Sequence, residues 1–368
     1  MSKTLSYIYH FGFVTCLCAN LTLSAWAAEP AIESQANGNW SSPDTWLGAH
    51  VPAAGDSVLI RSEHHVTYDV DSTEILRAVH ISGSLRFRTD LDTRLEAGLI
   101  RIEAGDRAVE EGFNCDRHDP ASHISSPQPE LLVGTAQQPV EAEHRCLIRL
   151  HPTAGVDEKS WPAIVCCGGR MEIHGAPMNR TWVKLSRTAD AGATRLFLSE
   201  AVTNWRAGDR LLITGTARQE PIAGVQTEHV SDAPTSEVRF LTAAPDSSIG
   251  MSMAAGSQQR LLIDKPLRLT HRGGQYSAEV ANLSRNVVVE SAAPEIQRGH
   301  TMYHHGSTGS ISYAEFRHLG KEGVLGRYPI HFHLVGQSMR GSSVIGASVW
   351  DSGNRWITIH GTQYLVVR

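Results

Sequence analysis

The feature that most restricts how this chain can fold is a rhythm of short Val, Ile and Leu runs, most of them closed by Gly, recurring at roughly 20-residue spacing. Examples are Val58-Leu59-Ile60, Val79-His80-Ile81-Ser82-Gly83-Ser84-Leu85-Arg86-Phe87, Leu99-Ile100-Arg101-Ile102 and Arg170-Met171-Glu172-Ile173-His174-Gly175. Runs this short, and punctuated in this way, suit strands rather than amphipathic helices. The 32 Gly and 16 Pro in 368 residues point the same way, so the expected fold is all-β. In the first half of the chain the rhythm fits stacked coils or a sandwich equally well.

Between Ile345 and Val367 the strands return at roughly 22 residues, the repeat that a parallel β-helix coil needs. Each coil would turn apolar residues inward and place alternate residues on an outer groove. The expected organisation is a first β domain at 28–175 with a polar insertion at 112–145, a β-rich connector at 176–270, and β-helix coils at 271–368. Residues 217–234 mix Pro, Gly and polar side chains and read as a surface excursion. The last residues, Gln363 to Arg368, read as the inside of a strand, so the β-helix is expected to be truncated at its C-terminus.

At the other end, Lys3, the apolar run Ile8 to Leu23 and the small residues Ala25 and Ala27 read as a signal peptide at 1–27. An uncleaved N-terminal anchor is the alternative. No other stretch approaches the about 18 to 20 apolar residues of a membrane span. The mature chain is therefore expected to be secreted, or cell-surface or periplasmic, without a span. Loss of Lys3 takes the formal charge from -5 to -6, which argues against nucleic acid or an anionic membrane as partner. An anionic ligand would have to be held by local arginines.

Of six cysteines, Cys16 and Cys18 leave with the signal, and Cys115, Cys146, Cys166 and Cys167 stay. Export permits disulfides. Pairing Cys115 with Cys146 would close the polar insertion, whereas the adjacent Cys166 and Cys167 point to opposite faces of a strand. Zinc is the rival reading, although no Cys-x-x-Cys occurs.

Trp40-x-x-x-x-Thr45-Trp46, Val51-Pro52-x-x-Gly55-Asp56, Tyr68-Asp69-Val70-Asp71 and Ile81-x-Gly83-x-Leu85, in that order, resemble a G8 domain. Downstream, Asn204-Trp205-Arg206-Ala207-Gly208-Asp209, the segment Ala278 to Val287, and Gly326-Arg327-Tyr328-Pro329-Ile330-His331-Phe332-His333 are similar to segments of fibrocystins and of the cell-migration-inducing and transmembrane hyaluronidases. The resemblance covers nearly the whole mature chain. It implies a G8 β domain followed by a right-handed parallel β-helix, with extracellular polysaccharide as partner. Some members degrade hyaluronan and the fibrocystins have no assigned activity, so it leaves open whether this chain depolymerises an acidic glycan, as a glycosidase or polysaccharide lyase, or is a non-catalytic glycan-binding or cell-surface structural module.

Seven of the 19 histidines fall between His300 and His360. With Ile330, Phe332 and Leu334 on one face of a strand, His331 and His333 share the other, about 6.6 Å apart by strand rise. In the same way Ile357 and Ile359 turn inward and leave Thr358 and His360 outward. Arg327, Tyr328 and Arg355 could hold a uronate carboxylate, with His331, His333, Asp351 or His360 moving protons at a glycosidic bond. Hydrolysis takes two carboxyl groups, for which Asp351, Glu315 and Glu322 are the candidates. A lyase needs a base instead, a role that suits histidine. Two further readings stay open: a ladder of structural histidines, and a divalent metal ion held by His331 and His333 with His360 or His300. Trp40 and Trp46 read as core packing.

Overall fold

The computed structural model describes residues 31–105, 127–216, 235–245 and 259–368. The expected signal peptide, Cys115 and the excursion at 217–234 lie outside the described residues. Among the described residues there is no α-helix, only the short turns Pro43–Thr45 and Leu47–Ala49.

Two parallel sheets, of 12 and eight strands, carry the architecture. The long strand Thr93–Glu103 explains how the larger one bends. Its first half pairs with Cys146–Leu150 and its second half with Ala163–Cys167. From there the two halves continue as separate faces. The first face runs on through Val287–Ser291, Ala314–Arg317 and Ser348–Trp350. The second runs through His300–Tyr303, Ile330–Gly336 and Ile357–Thr362. The eight-stranded sheet, from Gly38–Asn39 to Val366–Val367, forms the third face. This is a parallel β-helix. The strands before Gly175 are coils of the same solenoid, which decides for stacked coils over a sandwich.

Alternation along each strand builds the core. Cys166, Tyr303, Phe332 and Ile359 occupy one register position in successive coils. The first three lie in the core, whereas Ile359, expected to turn inward, is 46% exposed. The Tyr303 and Phe332 rings stack at 4.6 Å and 12°. Cys166 belongs to this inner core, whereas Cys167 packs in a separate cluster with Trp161, Ala163 and Val165, as the opposite faces of adjacent residues require. Trp46 is fully buried against Trp40 and donates its indole N–H to the Trp40 carbonyl at 2.8 Å, which makes both core residues.

The expected Cys115–Cys146 disulfide needs correction, because Cys146 is a free, buried thiol. It sits in register between Thr93 and Val287 with its sulfur in the core, and burial pushes its pKa up to about 12.

Coil stacking also explains the glycine of the Ile81-x-Gly83-x-Leu85 motif. A Cβ on Gly83 would lie 2.2 and 2.3 Å from the main-chain oxygens of Arg61 and His64 in the neighbouring coil. Only glycine lets the chain turn the corner between faces at this point.

After Arg170–His174 the chain leaves the solenoid and builds a four-stranded antiparallel sheet from Trp182–Lys184, Glu279–Asn282, Arg210–Ile213 and Glu237–Phe240. This unit has its own core around Trp205, Leu211 and Val280. The chain then returns at Val287–Ser291, which pairs directly with Cys146–Leu150. On the outer side of the first face, Glu96, Arg149, Glu290, Arg317 and Trp350 share one register position. Arg149 and Arg317 grip the Glu290 carboxylate from either side at 2.6 and 2.5 Å.

Candidate functional site

The second face carries the histidines. Ile330 and Phe332 are fully buried in the core, so His331 and His333 turn outward, their ring centroids 4.9 Å apart. Leu334, expected to follow its neighbours inward, does not. A register irregularity lies between His333 and Gly336, Leu334 takes a φ of 51°, and its side chain is 41% exposed. Val335 fills the core in its place.

Parallel pairing lines up further imidazoles. His333 is in register with His360, and the Tyr303–Phe332 pairing brings His304 next to His333. The centroid distances are 5.2 Å for His304 to His333 and 5.3 Å for His333 to His360. The Nδ1 atoms of His333 and His360 stand 3.4 Å apart, so one ring donates and the other accepts.

His331 is fixed more tightly. Its Nδ1 lies 2.9 Å from the Gly326 carbonyl, which can only accept, so Nδ1 carries a proton. The Tyr328 ring meets the imidazole edge-on at 4.8 Å and 72°. Burial lowers the His331 pKa to about 4; the Gly326 hydrogen bond opposes the shift, and His333, Arg327 and His360 add to it. At neutral pH Nε2 therefore carries a lone pair rather than a proton, on a residue that is 2% exposed.

The arginines lie alongside. Arg327 donates Nε–H to the Lys159 carbonyl at 2.9 Å. The exposed Arg355 has its guanidinium carbon 5.9 Å from the Tyr328 ring centroid. Tyr328 itself is 3% exposed, so its ring acts as a wall for His331.

Asp351 sits elsewhere. It follows the first-face strand Ser348–Trp350 and accepts hydrogen bonds from His318 at 2.5 Å and Arg298 at 3.2 Å. The His318 hydrogen bond, followed by Arg298, holds its carboxyl below the usual range. Glu315 bonds Arg317 and the Trp350 indole, each at 3.0 Å, and Glu322 is exposed on a turn. The second face thus gathers His304, His331, His333, His360, Arg327, Tyr328 and Arg355, without Asp351 or Glu315 as hydrogen-bond partners. Among the described residues, no three His, Cys, Asp or Glu side chains are grouped to hold a metal ion.

Lys321 escaped the sequence reading. It is buried, and its Nζ donates to the carbonyls of Glu158 and Trp161 at 3.0 and 2.5 Å. Burial, helped by Arg327, lowers its pKa to about 8. Its signal was weak, a single Lys in a Gly-Lys-Glu-Gly turn.

Comparison with known proteins agrees with the fold. Residues 45–186 match the G8 domain family and residues 297–368 match the CEMIP beta-helix family. The chain is thus similar to a G8 domain in its first half and to a CEMIP β-helix at its end. The CEMIP β-helix segment contains the whole histidine row, from His300 to His360. Fibrocystin-L of Mus musculus is 28% identical over 89% of this chain, which covers 8% of that protein. A G8 domain-containing protein of Dictyostelium discoideum is 30% identical over 88% of this chain and 21% of its own length. The chain therefore spans less than a quarter of these curated relatives. Among solved structures, the tailspike gp61 of Pseudomonas phage phi297 aligns over 83% of this chain and 39% of its own, with 10% identity and a TM-score of 0.23, too distant to bear on function. Among the described residues no helix is long and apolar enough to cross a membrane.

Proposed function

We propose that this protein is exported and engages an acidic polysaccharide, such as hyaluronan, along the outer side of the second face. The observation that carries the reading is the grouping of Arg327 and Arg355 beside a row of outward imidazoles from three successive coils. An extended row of this kind suits a linear polymer, with guanidinium groups pairing uronate carboxylates and imidazoles bonding hydroxyl groups. Export rests on the leader-like first 27 residues.

Depolymerisation is the finer reading, and the unprotonated Nε2 of His331 favours it. In a lyase step, the proton beside the uronate carboxylate would pass to Nε2. The electron pair left behind would form a carbon–carbon double bond and expel the glycosidic oxygen, which takes a proton from the imidazolium or water. His333 and His360 would assist by proton transfer. A pKa of about 4 makes His331 a weak base, so binding without turnover is the stronger half of the proposal. Asp351, clamped by His318 and Arg298, would order the corner next to the groove.

Size analysis of hyaluronan, chondroitin and polygalacturonate after incubation with the protein tests the catalytic half. Shortening with unsaturated ends, abolished by His331→Ala and His333→Ala, supports it. Unchanged polymers with a folded protein leave the binding function alone.

A further inference from the structure

A cavity of about 350 Å³ lies where the inserted antiparallel sheet meets the first face of the solenoid, away from the histidine row. Five arginines line it, Arg145, Arg206, Arg210, Arg285 and Arg317, against three carboxylates, Glu143, Asp209 and Glu315. Several of these charges are already used. Arg317 is shared between Glu290 and Glu315, and Arg285 spends its donors on the carbonyls of Gly346, Asn282 and Ser284. Asp209 is also engaged, accepting from the Arg206 N–H at 2.7 Å and from the Asn282 amide at 2.6 Å.

Arg210 and Arg145 are the exceptions. Neither side chain has a carboxylate partner among the described residues, and the Arg210 Nε is buried without any hydrogen-bond acceptor. The Arg210 guanidinium carbon lies 4.3 Å from the Trp350 ring centroid. With its flat face against the indole, a guanidinium keeps its donors along the edge, where a planar or tetrahedral oxyanion can accept two at once.

The walls are fixed. Gly208 takes a φ of 87°, which turns Arg206 to Arg210 into the cavity rim, and Ser284 accepts the Arg210 main-chain N–H at 3.0 Å. Across the junction, the Arg285 N–H donates to Glu315 of the first face at 2.9 Å. Phe240 adds an exposed ring to the lining, a surface on which a sugar can stack.

We infer that this junction cavity binds the oxyanion group of an acidic sugar, held by Arg210 and Arg145 and packed against Phe240. It would be a second subsite for a charged glycan, on a different face from the histidine row. The class of ligand follows the glycan reading above, but the cavity's demand for an oxyanion stands without it.

Calorimetric titration of the whole protein with glucuronate, sodium sulfate and glucose tests the inference. Binding of glucuronate or sulfate but not glucose is expected, weakened about tenfold in Arg210→Gln and in Arg145→Gln. Arg145 is exposed, so its variant keeps the test open if Arg210→Gln misfolds. A preference for glucuronate would name a uronate, and a preference for sulfate a sulfated sugar. Equal, negligible heats for all three probes, or unchanged binding in both variants, would overturn it. Heats lost in Arg355→Ala but kept in Arg210→Gln and Arg145→Gln would assign the binding to the histidine face and overturn the inference, so the two readings fail separately.

Discussion

His331 donates its Nδ1 hydrogen to the Gly326 carbonyl at 2.9 Å, and that contact fixes both the ring and its tautomer. Its consequence is a pH signature. The folded pKa is about 4, against an ordinary value of 6.5. Between those values the unfolded chain binds the extra proton, so His331 contributes stability that is present above about pH 6.5 and lost as pH falls through about 4. Thermal unfolding followed from pH 7 to 4 should therefore fall less steeply in His331→Gln than in the parent. Parallel curves would contradict the assignment.

The charge ladder of the first face gives a second expectation. Glu290→Gln removes the carboxylate on which Arg149 and Arg317 both close, leaving them only Glu96 and Glu315, and should cost about 1–3 kcal/mol in urea unfolding, the range for losing one partner of a half-shielded network. Arg149 and Arg317 hold the Glu290 carboxyl below the usual range against the opposing effect of burial, so its contribution is present at neutral pH and is lost as the medium is acidified through its lowered pKa. A change of a few tenths would show that solvent already screens the ladder.

Inward stacking is tested by Phe332→Ala. The ring is fully buried against Tyr303, and its removal should cost about 3–5 kcal/mol. Loss of much less would mean that the coils can collapse onto the gap.

Gly83→Ala should destabilise by about 1–3 kcal/mol, because its Cβ meets main-chain oxygens of the next coil rather than a mobile side chain. Gly55→Ala provides contrast: no atom lies within 4 Å of its Cβ, and the strain there comes from a φ of 89° alone.

Much of this was legible from the residues. Period-two alternation placed Ile330 and Phe332 inside and His331 and His333 outside, because one slip would invert every side chain. The Gly of Ile81-x-Gly83-x-Leu85 marked a real corner. Three features were not legible. The bulge at Leu334 depends on a single left-handed residue that has no glycine signal. The partners of Asp351 come from Arg298 and His318, 53 and 33 positions away, and only coil registration brings them together. Cys146 could be paired with Cys115 on paper because spacing alone carries no direction, whereas the strand turns its sulfur into the core.

The most direct test of the account is retention of the protein on immobilised hyaluronan and polygalacturonate, beside a neutral glucan, with Arg355→Ala and His360→Ala as exposed variants that should keep their fold. The account predicts retention on an acidic matrix, release by salt, and about tenfold weaker binding in each variant. Elution of the parent with the neutral-glucan profile from every acidic matrix would contradict it.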